Sequence, residues 1–322
     1  MSALASVILP TYNRASVLPG ALDSVLAQRY RPLELVVVDD GSTDDTAAVI
    51  AGWQREHAAP GLEVRYIAQP NAGPAAARNR GIASASGDYL YFLDSDDRMH
   101  PDLLEAGVKA LEAAQADCVL FGFDTLAASG RTGAYLPPDQ APLLSLVDHD
   151  LWGFTSSSLK RASLVQEAGP WLEDCHIGED YEFLARCLLI AKETTVLRQP
   201  LLTVTMRESR LSDGKNSAAG VASRVRAERA VAGQLTAARS RLGDALLYRY
   251  TGRLLRSAVN LCVSGHVDAA NVLLEIVEQL GHDAGDWRAR LRRQALTRGR
   301  WACVLLLRGA GVGRAASRIF SS

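Results

Sequence analysis

Residues 34–46 read ELVVVDDGSTDDT. Leu35 to Val38 form an apolar run without the every-second-residue alternation of a half-exposed strand, which suits a parallel sheet covered on both faces. The run ends on Asp39, Asp40 and Gly41, and Ser42, Thr43, Asp44 and Asp45 supply the acceptors that start a helix. This is half of a βαβ unit.

The flanking sequence completes it. Upstream, SVILP (6–10) is a second apolar run, followed by Val17, Leu18, Leu22, Val25 and Leu26 at helical spacing. Downstream come EVRYIA (63–68), a helical pattern from Gly73 to Ala85, DYLYFLD (88–94), a helix over Pro101–Gln115 and the run DCVLFGF (117–123). Pro74 falls in the first helical turn, where its missing N–H costs little. The alternation predicts an α/β, doubly wound sheet. Leu126 to Leu151 is rich in Gly, Pro, Ser and Asp and reads as a long loop region that could form part of an acceptor cleft. From Ser217 onward the pattern is helical with Arg-rich faces, which puts a domain boundary near Gly214.

A chain of 322 residues, 48% hydrophobic, can bury one large core and carry an appendage. No run approaches the roughly 18 apolar residues that span a bilayer, and MSALASVILPTYNR has no basic lead-in, so an unsecreted protein is expected. Cys118, Cys175, Cys187, Cys262 and Cys303 are odd in number and scattered, without a CxxC pair. They indicate neither a disulfide framework nor a zinc site, and a reduced cytoplasm fits. The net charge of -1 hides a division: residues 1–214 hold 17 Lys and Arg against 29 Asp and Glu, a net -12, and residues 215–322 hold 18 against 7, a net +11. The basic part therefore suits an acidic partner, either anionic lipid or the first domain itself.

Five segments carry candidate chemistry. ASVILPTYNR delivers Pro10, Thr11, Tyr12 and Asn13 at the carboxyl end of a strand, where open α/β sheets bind ligands. Tyr12 could stack on a base or merely fill a turn. Asp40 could accept from a base N–H or a ribose hydroxyl, or serve the turn. In NAGPAAARNRG, Arg78 and Arg80 could meet a phosphate, hold an aspartate of the site or make surface pairs. GDYLYFLDSDD then ends a buried strand on Asp94, Ser95, Asp96 and Asp97. Three carboxylates so close repel one another unless a cation offsets them, and a hard Mg²⁺ or Mn²⁺ does so. Such a metal, held by Asp94 and Asp96, would stabilise charge on a departing diphosphate; the alternative is a solvated turn. Asp96 is the first choice as ligand, and Asp97 is expected only to cap the next turn. Finally, GPWLEDCHIGEDYEFLARCLL places Glu179 and Asp180 at a helix start. One of the pair could point into a cleft as a general base, or both could simply complement the helix dipole.

In this order ASVILPTYNR, VVVDDGSTDDT, NAGPAAARNRG, GDYLYFLDSDD and GEDYEFLAR resemble glycosyltransferase family 2 over about residues 4–212. The resemblance implies a GT-A fold, an α/β/α sandwich with a helical C-terminal appendage. A catalytic domain would occupy 1–214, its nucleotide-sugar half about 1–100 and its acceptor half about 101–214, with a helical, basic region over 215–322. It further implies an inverting transferase in cell-envelope or exopolysaccharide synthesis, with a nucleoside-diphosphate-sugar donor, a saccharide or lipid-linked acceptor and Mg²⁺ or Mn²⁺. Carried over by residue, Thr11, Tyr12 and Asp40 match the nucleobase and ribose contacts, and Pro10 shapes the same turn. Arg78 matches a basic residue beside the nucleotide, and Asp94, Ser95 and Asp96 match the DXD signature. Asp180 matches the catalytic base. Many members place a histidine in a downstream Arg-x-His segment; here Arg207-Glu208-Ser209 lacks it, so Arg207 or Arg210 would have to meet the diphosphate.

Between Trp287 and Phe320 nine arginines, from Arg288 to Arg318, interleave with Trp287, Trp301 and Val304 to Leu307, without an acid. Such a segment suits an anionic membrane surface and a peripheral position on the cytoplasmic side, or packing on the first domain. No nucleic-acid-binding motif accompanies the charge. Three other functions stand beside this one: a nucleotide-sugar-binding scaffold without turnover, which the missing histidine would favour, a nucleotidyltransferase and a dehydrogenase. The nucleotidyltransferase wants a Gly-rich basic loop after the first strand that PTYNRASVLPG does not supply, and the dehydrogenase wants a GxGxxG that no strand precedes.

Overall fold

A computed structural model of the chain describes residues 3–57, 59–127, 130, 132–137, 143, 146, 155–206, 214 and 216–281. Arg207 to Arg210, most of the loop region before Leu151, Cys303 and the Trp287–Phe320 segment lie outside the described residues. The chain divides into two compact units, which part at Gly214.

The first unit is built on one mixed sheet. Its strands are β1 (Ala5–Thr11), β2 (Leu33–Asp39), β3 (Leu62–Ala68), β4 (Tyr89–Phe92), β5 (Arg98–Met99), β6 (Cys118–Ala127), β7 (Thr132–Tyr135), β8 (Ser158–Arg161) and β9 (Thr194–Met206). Among the described residues their order is β3-β2-β1-β4-β8-β6-β9-β5, with β7 paired to β6. The first four strands are parallel, as the apolar runs predict. Beyond β4 the sheet departs from a purely parallel one: β8 is antiparallel to both β4 and β6, β9 returns parallel to β6, and β5 pairs antiparallel with β9.

Helices α1 (Leu18–Leu26), α2 (Thr46–Glu56), α3 (Pro74–Ser84), α4 (Leu103–Ala114), α5 (Ala162–Ala168) and α6 (Glu179–Ile190) connect these strands. Strand β2 shows why its sequence does not alternate. Leu35 and Val37 join the large core with Val7, Leu9, Leu22 and Tyr91, while Val36 and Val38 pack with Ala77 of α3 on the other face. Strand β3 is an edge, and its side chains are only partly covered. Gly81 lets α3 lie against β1, since a Cβ there would stand 2.3 Å from Ile8 Cγ2.

The second unit is helical among the described residues: α7 (Ala218–Ala237), α8 (Arg239–Leu242), α9 (Asp244–Val263) and α10 (Val267–Gln279). Ser217 caps α7 by accepting from the Gly220 N–H at 3.1 Å. Glu228 of α7 accepts from Tyr250 and from the buried Arg253 of α9, so the helices are joined by a charged tie as well as by leucines such as Leu247 and Leu254. Among the described residues no helix is long and apolar enough to cross a membrane. Among the described residues, Cys118, Cys175 and Cys187 are buried and form no disulfide.

Candidate active site

Chain order places β2 and β3 on one side of β1 and β4 on the other, so the topology reverses between β1 and β4, at whose carboxyl ends open α/β sheets bind ligands. Pro10 lies inside β1, opposite Val38, rather than in the turn expected of it. Thr11 ends the strand; its Oγ1 is buried and has no hydrogen-bond partner. Tyr12 follows with 46% of its surface exposed. Asn13 is left-handed at φ 51°, and its side-chain oxygen accepts from Thr43 N at 2.7 Å, which fastens the loop after β1 to the loop after β2.

In that second loop both aspartates are buried. Asp39 accepts from Ser42 N at 2.9 Å and from the Tyr66 hydroxyl at 2.9 Å, an arrangement that pushes the phenol up to about 12, through burial first and then the carboxylate's hydrogen bond and charge. Asp40 accepts from Gln69 Nε2 at 2.8 Å, Ala72 N at 2.9 Å and Gly73 N at 2.8 Å. It thus satisfies backbone donors at the start of α3 from a distant loop, and one of about four lone-pair positions stays uncommitted. The helix-start chemistry read into residues 42–45 belongs to Asp44, which accepts from Thr46 N at 3.0 Å, whereas Asp45 at the N-cap position makes no capping bond.

From the start fixed by Asp40, α3 carries Arg78 into the interior, 4% exposed. Its guanidinium donates to Asp94 Oδ1 at 2.9 Å and lies 3.7 Å from both Glu179 Oε1 and Asp180 Oδ1. It also sits over the Trp171 ring, 4.6 Å from the centroid. Burial alone would lower the Arg78 pKa, but the charges of Asp180, Asp94 and Glu179 outweigh it and raise it. Of the roles the sequence left open, then, Arg78 holds an aspartate, and it supplies part of the positive charge that the acidic cluster called for.

The cluster itself is divided. Asp94 and Asp96 are partly exposed, Ser95 and Asp97 buried. Asp94 N–H faces Ser156 Oγ at 3.3 Å, and Asp97 N–H closes the turn onto Asp94 O at 3.0 Å. Asp97 is buried, and its Oδ1 accepts from Thr205 N at 3.2 Å, which ties the turn to β9. Among the described residues no three His, Cys, Asp or Glu side chains converge on a metal position. Two partly exposed carboxylates, Asp94 and Asp96, fit the other kind of site, in which Mg²⁺ or Mn²⁺ takes one or two protein oxygens and completes its shell with phosphates and water.

Asp180 sits in the first turn of α6, entered through the left-handed Gly178 at φ 94°. Its side chain is 26% exposed, but Oδ1 is wholly buried and accepts no hydrogen bond. Burial drives its pKa well above the ordinary carboxylate range; Arg78 opposes that shift, Glu179 and Asp94 add to it, and Lys160 opposes it.

The structure adds residues that no string in the sequence signalled. Trp171 stacks on Phe183 of α6 with ring centroids 4.1 Å apart and meets Phe92 of β4 edge-on at 5.3 Å. Asn79, next to Arg78, grips the Trp171 backbone from both sides, accepting its N–H at 2.8 Å and donating to its carbonyl at 3.0 Å. The segment leading to Asp180 is thereby anchored to α3. The strings GPWLED and ARNRG contain these residues, but nothing in their spacing marks the contact.

A sequence profile described as "Glycosyl transferase family 2" matches residues 6–140. An uncharacterised glycosyltransferase of Mycobacterium tuberculosis is 35% identical over 198 residues, 59% of this chain and 71% of that protein. The succinoglycan biosynthesis protein ExoO of Rhizobium meliloti is 34% identical over 196 residues, 56% of this chain and 54% of that protein. An uncharacterised glycosyltransferase of Rickettsia felis is 42% identical over 107 residues, 33% of this chain. The chain spans only 17% of the length of the Rickettsia protein and about half of ExoO. Among solved structures, S. aureus TarS 1-349 in complex with UDP-GlcNAc superposes with a TM-score of 0.57 at 19% identity, covering 86% of this chain and 92% of that one. The mannosyltransferase PcManGT of Pyrobaculum calidifontis, in complex with GDP-Man and Mn²⁺, gives 0.55 at 19% identity, covering 99% and 87%.

Proposed function

The chain belongs to glycosyltransferase family 2 and has the GT-A fold, and from that premise we propose that it is an inverting glycosyltransferase using Asp180 as general base. The observation that carries this reading is the convergence on Arg78. One buried guanidinium faces Asp94 at the end of β4 and Glu179 and Asp180 at the start of α6, so donor-side and acceptor-side acids come within reach of one bound substrate.

The donor is a nucleoside-diphosphate-sugar, a reading supported by the UDP-GlcNAc and GDP-Man complexes of the two structural neighbours. It would lie in the half formed by residues 1–100, with Tyr12 under the base, the unpartnered Thr11 hydroxyl and the uncommitted Asp40 lone pair as its polar contacts, and Ser95 and Arg78 near the diphosphate. Asp96 and Asp94 would hold Mg²⁺ or Mn²⁺, which when bound supplies positive charge to the departing diphosphate.

The acceptor would enter from the 101–214 half. Its hydroxyl gives up a proton to the Asp180 carboxylate as the oxygen attacks the anomeric carbon from the face opposite the diphosphate. The sugar–diphosphate bond breaks in the same step, the configuration inverts, and no covalent enzyme intermediate forms. Burial makes Asp180 a stronger base than a solvated aspartate, which suits proton abstraction near neutral pH. The likeness to a succinoglycan biosynthesis protein supports a place in envelope or exopolysaccharide synthesis with a saccharide or lipid-linked acceptor. The basic region from residue 215 would then sit at the inner membrane surface; deleting Trp287–Ser322 should abolish sedimentation with anionic liposomes, and unchanged binding would remove that assignment.

The central experiment is a thermal-shift and turnover screen of nucleoside-diphosphate-sugars with and without Mn²⁺. At least one donor should raise the melting temperature and release its diphosphate, and Asp180→Asn and Asp96→Ala should each lose most turnover. A screen in which no donor shifts the melt or is turned over overturns the reading.

A further inference from the structure

Among the described residues, four buried polar atoms in and around Arg78 have no hydrogen-bond partner: its own Nε and Nη1, Asp180 Oδ1 and Trp171 Nε1. Nη1 and Oδ1 are a donor and an acceptor of opposite charge, and they stand 3.7 Å apart. That is beyond hydrogen-bond reach. A guanidinium and a carboxylate removed from water normally close to about 2.8 Å, where a charge-assisted hydrogen bond offsets part of their desolvation. Closing would satisfy one unmet donor and one unmet acceptor at once, yet the pair is open. Something holds it apart.

The Trp171 ring is placed to do so. The Arg78 guanidinium carbon lies over it, 4.6 Å from the ring centroid, and Phe183 stacks on it at 4.1 Å with planes 13° apart. Phe183 is three residues from Asp180 and four from Glu179, the spacings that put side chains on one face of a helix. One ring therefore touches both the arginine and the first turns of the helix that carries the two acids. It is 2% exposed, and Phe92 of β4 meets it edge-on at 5.3 Å, so a third element supports it. Its backbone is fixed as well. Asn79 Oδ1 accepts the Trp171 N–H at 2.8 Å, and Asn79 Nδ2 donates to the Trp171 carbonyl at 3.0 Å and to Glu173 Oε1 at 2.9 Å. Asn79 is the chain neighbour of Arg78, so ring and guanidinium are held from the same turn of α3. The indole N–H adds nothing to the hold, since it has no partner.

We infer that Trp171 is a spacer and Asn79 its fastening, and that together they keep the Asp180 carboxylate from being drawn onto Arg78. Oδ1 is the buried oxygen of that carboxylate; 26% of the side chain still reaches solvent, which is the part an acceptor hydroxyl can meet. Closing the pair from 3.7 Å to an ordinary ion-pair distance would pull the carboxylate inward by about 1 Å. A misplacement of about 1 Å at a reacting group costs about a hundredfold in rate. Arg78 keeps its bond to Asp94 in either arrangement. Trp171 and Asn79 are positioning residues that act through Asp180. The inference rests on the reading of Asp180 as the base and deepens it.

The test compares the full chain carrying Trp171→Leu, which keeps apolar bulk and removes the flat ring, with Trp171→Phe, which keeps a ring and discards the unpartnered N–H. In a crystal structure of Trp171→Leu, Arg78 Nη1 should stand within about 3.2 Å of Asp180 Oδ1; in Trp171→Phe the separation should remain near 3.7 Å. With a donor from the screen, Trp171→Leu should lower kcat about 10- to 100-fold, and Trp171→Phe should recover most of that loss. Adding Trp171→Leu to Asp180→Asn should cost nothing beyond Asp180→Asn alone, because residues that act through one group are not additive. A general structural defect would multiply the two losses, and that result overturns the proposal.

If Trp171→Leu does not fold, Asn79→Ala, which frees the Trp171 backbone and leaves every ring in place, should shorten the same distance in part and lower kcat by a smaller factor. A folded Trp171→Leu or Asn79→Ala in which Arg78 and Asp180 stay 3.7 Å apart overturns the proposal. A parent chain that turns over no donor overturns the transferase reading instead, whereas the distance, which needs no turnover, decides the spacer by itself.

Discussion

Asp40 and Asp180 are both acids held against α3, and their surroundings are opposite. Asp40 is surrounded by neutral donors at hydrogen-bond distance, three of them, and its task is to hold the start of α3. Asp180 has a buried oxygen that accepts nothing, with a guanidinium 3.7 Å away and an ammonium acting from beyond. A carboxylate saturated with hydrogen bonds is poor at accepting a proton, because every bond stabilises its ionised form. One left bare in a low-dielectric place holds a proton more readily. The loop after β2 is therefore held by its acid, while the start of α6 gives Asp180 the surroundings that the proposed base requires.

The largest expected effect is on the bare acid. Asp180→Asn should reduce kcat by about 10²- to 10⁴-fold, measured as diphosphate release, with donor affinity by titration little changed. A loss below tenfold would move the base elsewhere. Next is the guanidinium between the two regions: Arg78→Met leaves Asp94, Glu179 and Asp180 without their shared cation, and should lower unfolding free energy by about 3–5 kcal/mol in denaturant melts. A change under about 1 kcal/mol would mean that these acids are effectively solvated.

Asp40→Ala removes the acceptor from Gln69, Ala72 and Gly73 and should destabilise by about 2–3 kcal/mol, whether or not a donor binds there. A smaller effect, and of opposite sign with pH, belongs to Asp180. Its folded pKa lies above its unfolded value, so the native state holds more protons, and the associated stability is full below the unfolded aspartate range and is lost as pH rises through the folded pKa. In EDTA, the parent chain should lose stability over that window relative to Asp180→Asn, and parallel curves would show that the carboxyl is not perturbed. Smallest of all is Thr11→Val. Replacing a buried hydroxyl that has no partner should leave the melt within about 1 kcal/mol or raise it, while weakening nucleotide-sugar binding if Thr11 serves the donor.

The parallel half of the sheet was legible because burial on both faces leaves a mark that chemistry cannot avoid: Val36, Val37 and Val38 all need cover, so none alternates with a polar residue. The antiparallel half carries no such mark. Strand β8 is Ser158-Leu159-Lys160-Arg161, which reads as polar until Ser158 and rings from two other elements are seen around Lys160. Strand β9 mixes Thr, Arg and Gln with Leu because much of it is only half covered. In the site, Asp94 and Asp180, singled out in the sequence, both face the guanidinium of Arg78, a shared partnership the sequence did not mark. Arg78 and Trp171 meet through tertiary packing, and Asp97 found the N–H of Thr205, more than a hundred residues away, instead of solvent. Pro10, expected in a turn, is accommodated within β1.

The two-sided grip of Asn79 on Trp171 bears on how this protein can be re-engineered. The stretch before α6 is an obvious piece to exchange between relatives when altering acceptor choice, yet it is not a free-standing cassette. A donor loop grafted between Gly169 and Gly178 would arrive without a matched amide on α3, and the aromatic ring that seats the helix would lose its register. Chimeras should therefore carry the α3 segment and the pre-α6 segment as one inherited pair, and those that move only one should be recovered as stable protein with Asp180 displaced relative to Arg78.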